Sequence, residues 1–425
     1  MLAPVPRLPE GSAEWPDPRG GEPRLAPPPE LSGSRFRASL RAFVSWFQRH
    51  YGLLAELERV PDGRKAVPGR IPLAAVLFAV LLMFWLKLPS IRALDDRLKR
   101  SPSLRRVIAT TGWSGAISDD TFADALQRLG LEPLRSILHA IAKRELKRWA
   151  AGRYLQSELA QRLKGVGVRC AALVARALVA IDGHELFSHE QRCCAHCLVR
   201  TVKKMRNGEV VEVTEYYHRI VVAQWIGVHP AMILDLEEVL PGENELVAAY
   251  RLVERIRTVY GPAVGTITAD ALYDGQPFRD LLRRCKYFFV IRHKSAQGGP
   301  GRDGERSLRR RDPALEDPDH RYLDRERHRR YEAWQEDVGA GVRYVFCRRT
   351  TTAKTSSDEK KHTGACLTDL PPDQAPPVAT AMLMETRWWI EDTGYVELHI
   401  TRVMCSCTLC IVAATRPEST LSSAG

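Results

Sequence analysis

The chain has 425 residues, enough to bury a sizeable core and carry two or three domains, which excludes a peptide-sized module. Lysine and arginine total 63 against 51 aspartates and glutamates, a formal net charge of +12 that favours a polyanionic partner through phosphate neutralisation and counterion release. Ten cysteines in a chain of this length do not make a disulfide scaffold and are read as thiols.

Residues 1–35 are rich in Pro and Gly and poor in large apolar residues, and are expected to form an unstructured arm. The opening MLAPVPRLPEGSAEWPDPRG contains no apolar run of the secretory kind, so a cytoplasmic protein is expected. Residues 36–170 show helical periodicity, in FVSWFQRHYGLLAEL, in IRALDDRLKR and in TFADALQRLG, the last with Ser118 and Asp119 as candidate caps. The apolar run Ile71 to Leu86 is shorter than the roughly 20 residues that span a bilayer, and Arg70 and Lys87 bound it, so it is read as a buried core helix. Basic residues gather in Arg92 to Arg106 and in Lys143 to Arg169, on helices. The stretch SDDTFADALQRLG fits a helix-turn-helix and ordinary bundle packing equally well.

Near Ala171 the pattern changes to strands. ALVAIDG (Ala177 to Gly183) reads as a buried strand, TEYYHRIVVAQWIG (Thr214 to Gly227) and AMILDLEEV (Ala231 to Val239) as two more, with a cysteine-bearing loop between the first and second. PGENELVAAYRLVERIRTVYG has helical spacing, VGTITAD reads as a strand, QPFRDLLRRC as a helix and YFFVIRHK as a strand, giving the order βββαβαβ. Asp182 ends the first of these strands and Asp270 the fourth, which brings the two carboxylates together if those strands are neighbours. Residues 295–377 are polar and rich in Arg and Gly, and read as a loop with a small β insertion. After it, RWWIED (Arg387 to Asp392) reads as a helix carrying Glu391.

Any one of these acids, taken alone, is more simply a solvated carboxylate. Asp182, Asp270 and Glu391 as a set can hold two hard divalent cations, for which oxygen ligands are preferred. Cys193, Cys194 and Cys197 surround His196 and follow His189, and Cys407 with Cys410 makes a second C-x2-C pair; a structural zinc is weighed against thiols here, and thiols are preferred. Trp388 and Trp334 are candidates for stacking on a base, with packing the simpler role. His184, two residues past Asp182, is read as a hydrogen-bonded loop histidine and Glu185 as a solvated acid.

At these residues the chain resembles the DDE transposases of bacterial insertion sequences, in the ribonuclease H-like group whose third acid lies in a Tyr-x2-Arg-x3-Glu signature after a β insertion. The resemblance covers roughly Ile71 to Leu398. It implies an α/β fold with a ribonuclease H-like mixed sheet, a β insertion and a following helix, preceded by an all-helical N-terminal domain. On this reading residues 36–170 bind DNA ends, 171–400 form the catalytic domain, and 401–425 are an atypical tail, expected to reflect truncation or a frame shift. Asp182, Asp270 and Glu391 become the catalytic, metal-binding triad for two Mg2+ or Mn2+ ions, and Arg387 the signature arginine, reaching a DNA phosphate or orienting Glu391. Where the signature has tyrosine the chain has Met384, and where a lysine is expected after the glutamate it has Leu398 and His399.

The implied activity is metal-dependent cleavage and strand transfer of an element on double-stranded DNA, by a homodimer in a synaptic complex associated with the nucleoid and with no membrane. Three alternatives stay open: a catalytically inactive transposase-derived DNA-binding protein, a nuclease on the same core that cuts without joining, and a zinc-stabilised interaction module built around Cys193 to Cys197.

Overall fold

The computed structural model describes residues 42, 44–45, 47–86, 88–150, 158–165, 173, 176–192, 194–206, 208–228, 231–294, 316–324, 327–353, 359–387 and 390. The arm at residues 1–35 and the tail at 401–425 lie outside them. The chain divides between Ile137 and Leu138 into two compact units.

The first unit is helical in all its described regular structure: α1 Leu53–Glu58, α2 Leu73–Trp85, α3 Ile91–Arg100, α4 Pro102–Ile108, α5 Asp119–Gln127 and the start of α6 Leu131–Ala150. Serines set three of the helix starts by satisfying an orphan amide. Ser90 Oγ accepts from Ala93 N–H at 3.1 Å, Ser101 Oγ from Leu104 N–H at 3.3 Å and Ser118 Oγ from Thr121 N–H at 3.3 Å. The apolar α2 is the centre of this unit. Phe78 and Leu82 have no exposed surface, and Leu94, Leu98, Ile108 and Phe122 pack into the same core. Each such side chain contributes roughly 1.5–3 kcal/mol of burial, which explains an apolar run that needs no lipid. Among the described residues no helix is long and apolar enough to cross a membrane.

The second unit is built on a ten-stranded mixed sheet with the order β2-β3-β1-β5-β6-β10-β9-β8-β7, with β4 paired to β3. Its strands are β1 Ala177–His189, β2 Leu198–Arg206, β3 Glu209–Ile226, β4 Met232–Glu238, β5 Val264–Ala269, β6 Phe288–Arg292, β7 Glu316–Asp324, β8 Arg327–Gly339, β9 Val342–Ala353 and β10 Glu359–Thr368. After α7 Glu158–Gly165, the helices are α8 Glu245–Tyr260, α9 Gln276–Arg284 and α10 Pro377–Thr386. β1, β5 and β6 run parallel, and β5 is buried at every residue, as a strand covered on both faces must be. α8 packs on β3 and β4, and α10 packs against β5, β6 and β8–β10. Asn244 caps α8, its side chain accepting from Val247 N–H at 3.1 Å.

The order βββαβαβ is present with one strand more than the sequence patterns indicate. LVRTVKKMR forms β2, and β3 begins at Glu209, five residues before the apolar alternation becomes visible. Only one end of this hairpin is buried, so its polar residues alternate with other polar residues and hide the period. β1 likewise runs on to His189, so Asp182 lies within a strand, one residue past the last level at which β1 pairs with β5. The insertion extends the same sheet outward from β6 through β10, which pairs antiparallel with it.

Candidate active site

Asp182 and Asp270 meet because β1 and β5 are parallel neighbours. Their register pairs Ile181 with Ala269, so each aspartate is the next residue on its own strand, side by side with the other. The two backbones treat the acids differently. Asp182 stays in the sheet opposite Val222 of β3, and its Oδ1 accepts from Gly183 N–H at 2.9 Å. Asp270 leaves the sheet, and its Oδ1 accepts from Leu272 N–H at 2.8 Å, capping the short turn Ala271–Tyr273.

Arg387 completes this face. It follows α10, its side chain is buried at 3% exposure, and its Nη1 donates to Asp182 Oδ2 at 3.1 Å. The amide of Ile390 donates to the carbonyl of Arg387 at 3.0 Å, so the chain is still coiled one residue before the expected third acid. Glu391 lies outside the described residues, as do Trp388, Leu398 and His399. Met384, in the place of the signature tyrosine, packs beside Ala333, Cys347 and Ala381 beneath the insertion strands. Trp334 is buried at 5% exposure with its ring edge toward Tyr344, a packing position. His184 is a buried strand residue paired with Ile220, which corrects its reading as part of a loop. Glu185 is held by Arg200, whose Nη1 donates to it at 2.6 Å.

Sequence reasoning misses Glu245. It is the first residue of α8, and its carboxylate lies against Gly183, where a side chain on residue 183 would collide with it. Tyr273 O–H donates to its Oε1 at 2.6 Å and Arg219 Nη1 to its Oε2 at 3.2 Å. Tyr273 is fully buried; burial first, then the negative charges of Glu245, Asp182 and Asp270, push its phenol well above the ordinary range. Three carboxylates therefore share the neighbourhood of one neutral phenol. The signal in the sequence is a capped helix start combined with a glycine directly after an acid, and neither is specific alone.

A cleft of about 280 Å³ opens beside Asp270, lined also by Arg292, His293, Lys294 and Thr363. Its cations come from the end of β6, the strand next to β5. His293 Nδ1 contacts Asp274 Oδ2, and Arg279 donates to Asp274 Oδ1 at 2.6 Å, fixing the rim. Carboxylates beside a basic cleft suit a phosphodiester, whose negative charge the cations attract while the acids supply hard oxygen donors.

Residues 226–394 match the family model described as "Transposase DDE domain". That span begins at the last residue of β3, so it takes in Asp270, Arg387 and Glu391 and leaves Asp182 outside. No curated protein matches the chain.

Proposed function

We propose, from the premise that this chain carries a DDE transposase domain of the insertion-sequence kind, that it cuts and joins the DNA strands of its own element. The observation that carries this reading is the parallel register setting Asp182 beside Asp270, with a buried arginine on the first acid and a basic cleft beside the second.

Asp182 and Asp270 are the groups that would hold divalent cations, with Glu391 as the third. The fit rests on the donors: two like-charged carboxylates on adjacent strands repel each other, and their hard oxygens suit Mg2+ or Mn2+. Held there, such ions would supply Lewis-acid activation of a water or 3′-hydroxyl and stabilisation of the leaving oxygen. Arg387 holds Asp182 in place by its charge-assisted hydrogen bond and adds a positive charge beside the acids, where a phosphate would bind. Arg292 and Lys294 draw the strand into the cleft, and Tyr273 with Arg219 fixes Glu245 behind Gly183 so that β1 keeps its place against α8. The helical N-terminal unit recognises the element's ends, and two chains pair the two ends as a dimer.

The test is strand cleavage of a labelled DNA fragment bearing the element's own end, with Mg2+ or Mn2+, for wild type and Asp270→Ala. Cleavage should fall by about 10²–10³-fold or more, the cost of losing one group that stabilises charge in the transition state. Equal cleavage by both proteins removes Asp270 from the site. Products joined to target DNA separate a transposase from a nuclease, and binding without cleavage by the wild type marks a copy that retains recognition alone.

A further inference from the structure

We propose that Cys194, Cys197 and His218 form a zinc site, with Glu238 orienting the histidine. This rests on observations separate from those behind the transposase reading. The two thiols sit in the turn between β1 and β2, and the imidazole projects from β3. The β2–β3 register pairs Leu198 with Tyr217, which sets Cys197 level with His218. All three are buried, at 9%, 3% and 2% exposure.

The distances fit one tetrahedral ion. Cys194 Sγ and Cys197 Sγ are 3.7 Å apart, and His218 Nε2 is 3.2 Å from the first and 3.5 Å from the second. Bonds of about 2.3 Å to sulfur and about 2.0 Å to nitrogen at tetrahedral angles separate the sulfurs by about 3.8 Å and sulfur from nitrogen by about 3.5 Å. A disulfide would need the sulfurs at about 2.05 Å, so none joins these two cysteines.

The surroundings are those of thiolate ligands. Cys194 N–H donates to Cys197 Sγ and His196 N–H to Cys194 Sγ, both at 3.3 Å, so backbone dipoles already face the sulfurs. Nδ1, the other ring nitrogen of His218, lies 3.2 Å from Glu238 Oε1 on β4. That contact selects the tautomer with Nε2 bare toward the sulfurs, which is the carboxylate–histidine–metal arrangement. Two sulfurs and one imidazole form a borderline-soft donor set, which selects zinc over the oxygen-seeking magnesium of the carboxylates. His218 and Val222, the partner of Asp182, are four residues apart along β3, about 13 Å at the rise of an extended strand, so the two metal sites are distinct.

The test is the metal content of the full chain purified without chelator, followed by Co2+ uptake after zinc is removed under reducing conditions. The expected result is about one zinc per chain, as for a structural zinc site, and a cobalt spectrum with thiolate charge-transfer and intense tetrahedral ligand-field bands. Cys194→Ser with Cys197→Ser should lose both signals, and Glu238→Gln should keep the ion with an affinity weaker by about 10–100-fold. The cobalt spectrum is read on wild-type protein and needs no variant to fold. A wild-type chain that takes up neither zinc nor cobalt, or a double serine variant that keeps the ion, overturns the site. Cleavage activity plays no part in the readout, so failure here is distinguishable from failure of the transposase reading.

Discussion

A side chain at Gly183 would overlap the carboxylate of Glu245, so the residue after Asp182 is small because α8 begins there. Gly183→Ala should lower the free energy of unfolding by about 1–3 kcal/mol, the range for overpacking a filled site, measured by urea denaturation. In an Glu245→Ala background the same change should cost clearly less; equal costs would show that the two residues do not share the space. The individual acids of β1 and β5 are legible in the sequence because each closes a short β-branched apolar run. Glu245 and His218 are not legible. Glu245 reads as an ordinary first-turn acid, and His218 stands 21 residues from Cys197, so only the strand register brings it to the thiols.

At the scale of elements, Asp235 of β4 ties two helices to the sheet. It has no exposed surface, Arg255 Nε of α8 donates to its Oδ2 at 2.6 Å, and His139 Nε2 of α6 lies 3.2 Å from the same oxygen. Burial works to raise its pKa, but the close approach of His139 and the hydrogen bond and charge of Arg255 outweigh burial and hold it below the ordinary 3.8. A depressed carboxylate contributes stability above its unfolded pKa and loses it as pH falls through the folded value. Asp235→Asn should therefore cost about 3 kcal/mol near neutral pH, where it breaks a buried pair. The deficit should shrink as pH falls below 3.8; a constant deficit from pH 7 to about pH 2 would exclude the ion pair as its source. The strands and helices from Ala177 to Arg292 are legible as periods of two and 3.6 because each has one strongly buried face. β2 and the start of β3 escape because Arg200, Lys203, Lys204 and Glu212 face solvent or one another in a hairpin with little apolar cover.

At the scale of the whole molecule, the charge of +12 bears on the proposed action on DNA, because it predicts how binding responds to salt. Affinity for a duplex should fall by about a hundredfold or more between 50 and 200 mM salt, since several phosphates are neutralised and each releases counterions. Fluorescence anisotropy across that range reads the slope, and a nearly flat response would mean that the basic residues do not engage the phosphate backbone. The β insertion has a separate consequence at this scale. Without it β6, one strand from Asp270, would present a row of unpaired amides and carbonyls, a ready template for strand addition by a stray polypeptide. β10, β9, β8 and β7 set the outermost described strand four places beyond β6, about 19 Å at the usual strand spacing, so strand addition there would leave the spacing of the two acids intact.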